Sequence, residues 1–150
     1  MSLQSDLMTA MKAAMRDKDQ MALAALRAVK SEILLAQTAT GSKEELTEDQ
    51  EIKILSKLVK QRKDSAAIFS EQGREDLAGP ELAQAEVISQ FLPEQLSEDD
   101  IKAVVVKVIA DVGADGMKDM GKVMGVVSKQ LAGQADGKTI STIVKAQLMG

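Results

Sequence analysis

The chain has 150 residues, a formal charge of −4 and 45% apolar content, supplied by Ala, Leu, Val, Ile and Met with Phe69 and Phe91 as the only aromatics. It contains no His, Cys, Trp or Tyr, which removes histidine- and cysteine-based catalysis, zinc and iron–sulfur ligation, and base stacking on aromatic platforms. No stretch reaches the roughly 18 apolar residues of a membrane span, and the absence of cysteine fits a reducing compartment. Such a composition suits helices packed on helices better than a β-sandwich.

Leu3, Leu7, Met8, Met11, Ala14 and Met15 form a first helical stripe. Asp6 interrupts any signal-peptide core. Lys12 and Arg16 outnumber it, as they would in an organelle presequence, but the pattern reads as the first helix of a bundle in a cytoplasmic protein. Asp17, followed by Gln20, is the expected cap of a second helix with its stripe at Ala22, Leu26, Val29, Ile33 and Ala36. The polar segment Thr38 to Glu45 reads as a loop. Thr47 with Gln50 is a further capping box, and it opens a third helix that Gly73 should stop.

On this third helix Lys53, Lys57 and Lys60 lie opposite Leu55, Leu58, Val59, Ala66 and Phe69, the arrangement of a solvated face. Arg62 falls near the centre of the apolar stripe, as an arginine snorkelling or paired with an acid at a helix seam would. Gly79-Pro80 marks the start, or a kink, of a fourth helix reaching about Phe91. That helix is apolar on two sides, with Ala85, Ile88 and Leu92 on one and Val87 and Phe91 on the other. It is therefore expected to pack on the N-terminal bundle and also on the chain beyond Pro93.

Pro93 breaks the chain, and Ser97 with Asp100 caps a fifth helix whose stripe is Ile101, Val104, Val105, Val108, Ile109 and Val112. Gly113 ends it; a lysine–glycine helix comes next and stops near Gly133. Asp136 caps a last helix with Ile140, Ile143, Val144 and Leu148 inward. The sequence thus predicts an all-α protein of seven helices. A four-helix bundle-like domain would occupy residues 1–92 and a smaller three-helix domain residues 97–150. The linker 93–96 would be an exposed, polar segment of the kind proteases prefer.

The lysine–glycine helix is the most informative segment. Met120, Val123, Met124, Val127 and Leu131 make an ordinary buried stripe. The opposite side carries Lys118, Gly121, Lys122, Gly125, Ser128, Lys129 and Ala132, every one basic or small. Glycine costs about 1 kcal/mol relative to alanine inside a helix, so two of them four apart suggest close approach by something, and the lysines suggest that it is anionic. A small-xxx-small line also lets two helices pack tightly, and both readings stay open on the wheel alone. From Gly116 onward five lysines face Asp119 and Asp136, a local +3, which leaves −7 on the residues before it. A basic tail on an acidic body can dock locally on a polyanion.

Gln90-Phe-Leu-Pro-Glu-Gln-Leu96, Asp119-Met-Gly-Lys-Val-Met-Gly125 and Gly133-Gln-Ala-Asp-Gly137, in this order, resemble the YqeY family. Glu45-Leu-Thr-Glu-Asp49, Lys60-Gln-Arg-Lys-Asp-Ser65 and Gly73-Arg-Glu-Asp-Leu77 extend the resemblance over essentially the whole chain, with Gly79-Pro80 as the point of departure. The family is similar to the C-terminal tail of GatB, one of the components of the glutamine-dependent Asp/Glu-tRNA amidotransferase. The resemblance implies contact with the body of a tRNA. It does not bring the amide-forming chemistry, which belongs to a catalytic domain lacking here, so the label of carbon–nitrogen ligase with glutamine as amido donor is inherited from the larger enzyme. The residues that carry over are Gly121, Lys122 and Gly125, with Lys118 and Lys129 beside them on the wheel.

These observations predict a tRNA-binding or tRNA-handling accessory protein that meets phosphates through lysines and helix N-termini. It would need no intrinsic catalysis, cofactor or metal, and would act alone or with a protein partner in tRNA amidation or translation. The alternative is a protein–protein module that uses the glycine face. An independent enzyme built on carboxylates and lysines ranks third, since no phosphate loop or metal-spaced carboxylate set is present. The acidic cluster Glu94, Glu98, Asp99 and Asp100 has the charge of a Mg²⁺ site but is better explained by a connector and the preference of a helix N-terminus for negative charge.

Overall fold

Side-chain oxygens start most of the helices. The structure, a computed structural model, describes residues 2–39, 41 and 45–149. Among these residues there are seven α-helices and one 3-10 turn, and no strand. The helices are α1 (Leu3–Arg16), α2 (Gln20–Ala39), α3 (Glu48–Glu71), α4 (Glu75–Ser89), α5 (Glu98–Val112), α6 (Met120–Gln130) and α7 (Gly137–Met149). Ser2 caps α1, Thr47 and Gln50 form the expected reciprocal box at α3, Ser97 caps α5, and the Asp136 carboxylate accepts from Thr139 N–H at 2.7 Å to open α7. Most of the expected loop between Thr38 and Glu45 lies outside the described residues, although Thr38 and Ala39 still belong to α2.

Two starts differ from expectation. α2 is capped by Asp19, which accepts from Ala22 N–H at 3.0 Å, and not by Asp17. Asp17 instead closes α1, and Lys18 takes the left-handed conformation at φ 55° so that Asp19 N–H reaches back to the Ala14 carbonyl at 2.9 Å. α4 begins at Glu75, ahead of Gly79-Pro80. Gly73, at φ 71°, reverses the chain, and Arg74 N–H bonds the Phe69 carbonyl at 2.8 Å while its guanidinium pairs with Asp76 at 3.0 Å. Pro80 therefore lies inside the helix, where it cannot donate to the Asp76 carbonyl.

The chain divides into two compact units, Met1–Leu92 and Pro93–Gly150. In the first, α1 packs on α2, α2 on α4, and α4 most extensively on α3. Leu26, Val29, Leu55 and Ile88 are among its fully buried side chains, and burial of each such residue contributes about 1.5–3 kcal/mol. α1 is built into this core through Leu7 and Ala14, but Met8 and Met15, assigned to the same stripe, are exposed. The second apolar side of α4 is used inside this unit: Val87, Phe91 and Leu92 pack against the same core as Ala85 and Ile88. Arg62 is half-buried at the α3–α4 seam, where Nε donates to Gln84 Oε1 at 3.1 Å and Nη1 to the Leu58 carbonyl at 3.2 Å. Its side-chain partner is thus an amide, where the stripe suggested either a snorkelling arginine or an acid pair.

In the second unit α5, α6 and α7 pack pairwise around Ile101, Val105, Val108, Val123, Val127, Leu131, Ile140 and Val144. Gly113, at φ 65°, ends α5 as expected, with Ala114 N–H returning to the Ile109 carbonyl at 3.1 Å. Residues 93–96, read from sequence as a linker, are hydrogen-bonded to the turn between α6 and α7 through Gln95, Leu96 and Gln134.

The first unit can be tested at two of its helices. Pro80 is exposed, so Pro80→Ala restores a helix bond without disturbing packing. It should stabilise the first unit by about 2 kcal/mol, the interior-proline cost less the entropy returned to the unfolded chain, read as a rise in Tm. Glu51, in a recess with Ser2, Leu3, Ile33 and Leu46, has its carboxyl pushed above the ordinary value by burial first, then by Glu48 and Glu45. A raised carboxylate pKa favours the fold at low pH and withdraws that support as pH rises through the folded value. Glu51→Gln should therefore raise Tm at neutral pH, and the gain should vanish below the carboxylate range.

Candidate nucleic-acid interface

α6 is oriented by its valines. Val123 and Val127 have no exposure at all, and Met120 and Met124 are half-buried beside them. A 3-10 turn, Met117–Asp119, runs into the first turn of the helix. With the valines inward, Lys118, Gly121, Lys122, Gly125, Ser128, Lys129 and Ala132 are all exposed. α6 contains no acidic residue, so its outer face has a single sign of charge.

The glycines are not there to admit another helix of this unit. A Cβ added at Gly121 or Gly125 meets no neighbour within 4 Å. The lysines differ among themselves. Lys122 Nζ reaches the Val112 carbonyl at 3.5 Å, a cation placed at the C-terminus of α5 where the helix dipole favours it. No hydrogen bond or ion pair holds Lys118 or Lys129 among the described residues.

Helix N-termini, the expected second source of donors for phosphate, each already carry acid in this unit. The Asp119 carboxylate, at the start of α6, accepts from Asp115 N–H at 2.8 Å. Asp136 caps α7, and Glu98, Asp99 and Asp100 fill the first turn of α5. An incoming anion is left with lysine side chains. On α3, Lys53, Lys57 and Lys60 are exposed as expected, and Lys60 pairs with Asp64 at 3.0 Å. Sequence reasoning missed the tether of Lys122 and the bonding of Gln95 and Gln134. The one available signal was that both glutamines stand in segments that belong to no helical stripe.

An all-helical chain with a lysine–glycine face is thereby defined, and comparison with known proteins gives its family. Residues 4–148 match the Yqey-like proteins, and the chain belongs to the YqeY family. It is similar to altered inheritance of mitochondria protein 41, mitochondrial, of Clavispora lusitaniae (strain ATCC 42720), with 32% identity over 133 residues, 87% of this chain and 74% of that protein. The protein of the same description in Pyrenophora tritici-repentis (strain Pt-1C-BFP) is 31% identical over 136 residues, 89% of this chain and 71% of its own. The E-type component of glutamyl-tRNA(Gln) amidotransferase in Thermococcus gammatolerans (strain DSM 15229 / JCM 11827 / EJ3) is 30% identical over 109 residues, 70% of this chain and 17% of that much longer protein.

The open glycine position makes a stability prediction. Gly125→Ala should stabilise the second unit by up to about 1 kcal/mol through helix propensity, measured by chemical denaturation. A loss of about 1–3 kcal/mol is the signature of overpacking, and it would mean that a helix lies against this face.

Proposed function

We propose that this protein binds or handles tRNA as an accessory protein, with Lys118, Lys122 and Lys129 meeting the phosphate backbone and Gly121 and Gly125 allowing it to approach. The observation that carries this reading is the exposed, acid-free face of α6 on a chain that is similar to a segment of a tRNA amidotransferase. Recognition would be of backbone and shape, since the chain has no Trp, Tyr or His to stack on bases. Carbon–nitrogen ligase chemistry belongs to the larger enzyme, and this chain contributes no catalysis of its own. The same proposal takes residues 1–92 and 97–150 as separately folding domains of four and three helices.

In this reading the protein is cytoplasmic, with α1 a core helix of the first unit. The names of two relatives place those proteins in mitochondria, and fractionation of cells expressing the native chain decides between the compartments. A second reading takes the glycine face as a seat for a partner protein's helix, since both glycine positions are open.

Binding titrations with several unmodified tRNAs across a range of salt test the proposal. Changing Lys118, Lys122 and Lys129 to Ala should weaken binding to all tRNA sequences alike. The log affinity against log salt slope should flatten by about 0.7 to 0.9 for each phosphate no longer neutralised. Gly125→Ala should also weaken binding although it stabilises the helix. Unaltered affinity in the triple variant rejects the RNA reading and leaves the partner-protein one.

A further inference from the structure

We propose that residues 93–96 form a latch, closed on the turn between α6 and α7 and able to open while the core of the second unit stays folded. The closure is reciprocal. Leu96 N–H donates to the Gln134 carbonyl at 2.9 Å. The Gln95 side-chain amide donates to the Pro93 carbonyl at 3.0 Å and to the Gly133 carbonyl, across 38 residues of sequence. The Gln134 amide returns to the Glu94 carbonyl at 3.4 Å.

Beneath these bonds, Leu96 and Ala135 rest partly buried against the second core. Glu94 and Gln95 are exposed. Hydrogen bonds in contact with water contribute only modestly to stability, so such a closure opens locally at lower cost than the whole unit unfolds. Closed, it leaves only residues 93–95 between Leu92, packed in the first core, and Leu96, packed against the second. Open, it frees Leu96 as well and lengthens the tether between the units. Gly133 and Gln134 belong to the turn that follows α6, closed by Gln134 N–H on the Leu131 carbonyl at 2.9 Å, so whatever holds that turn sets how freely the connector moves. This proposal does not depend on the RNA reading.

Amide hydrogen exchange on the full chain, followed residue by residue, tests it. In the native protein the Leu96 amide should be protected. In the double variant Gln95→Glu, Gln134→Glu, which keeps side-chain size and removes the amide donors, Leu96 should exchange about ten-fold faster or more. The Val105 amide, midway along α5 in the core of the same unit, should be unchanged. Gln95→Ala with Gln134→Ala should act in the same direction, which separates loss of the donors from added charge. Leu96 exchanging at the rate of unstructured chain in the native protein overturns the latch, as does an unchanged rate in both double variants. Acceleration of Val105 in step with Leu96 also overturns it, because the bonds would then support only the global fold.

Discussion

The burial of Val123 and Val127 is the constraint on which the second unit depends. Both side chains are wholly enclosed among residues of α5 and α7, and a helix with one narrow apolar stripe has a single orientation that buries it. The exposure of the lysines and glycines is the complement of that burial. Their side of α6 is outward because the valine side is inward, with no contact of its own required. For the same reason the face can change its chemistry without cost to the fold, provided the valines stay.

The first unit solves the same problem with more surface. Leu and Ile dominate its interior, and alanines complete the seam between its last two helices: Ala66 and Ala78 are both buried there. Small residues at such positions let the two helices approach closely. Arg62 shows how the seam treats a charge that the stripe cannot leave in water. Its guanidinium is satisfied by a neutral amide and a backbone carbonyl, which holds the side chain without burying a second charge.

Much of this was legible in the sequence, and the reasons divide cleanly. Thr47, Ser97, Asp136 and Gly113 act within one turn of their own position, so local spacing was enough to place them. Asp17 and Asp19 compete for the same turn. The choice is made by Lys18, a residue type that gives no sign of adopting positive φ. The start of α4 was hidden by Pro80, because proline is a stronger signal than the left-handed glycine that sets the boundary. Met8 and Met15 lie about 80–100° from Leu7 on the wheel, at the edge of the stripe, where the neighbouring helices decide what is covered. In the candidate site the face itself was legible from periodicity, whereas the reach of Lys122 to Val112 spans two helices and has no sequence signature. The family was legible from the order of its segments, and the match over residues 4–148 agrees.

The division of the methionines has a consequence for the chain's response to oxidants. Met8, Met15, Met117 and Met149 are exposed, whereas Met120 and Met124 are half-buried against the second core. Without cysteine there is no thiol to be consumed first, so sulfoxide formation begins at these outer thioethers. At Met8 and Met15 the added oxygen meets solvent and leaves the interior untouched. At Met117 it falls beside Lys118, in the turn that leads into α6, and adds a strong acceptor next to that cation. The damage is chemically reversible by reductases, so oxidative wear on this protein is written on its surface, where it can be repaired without unfolding.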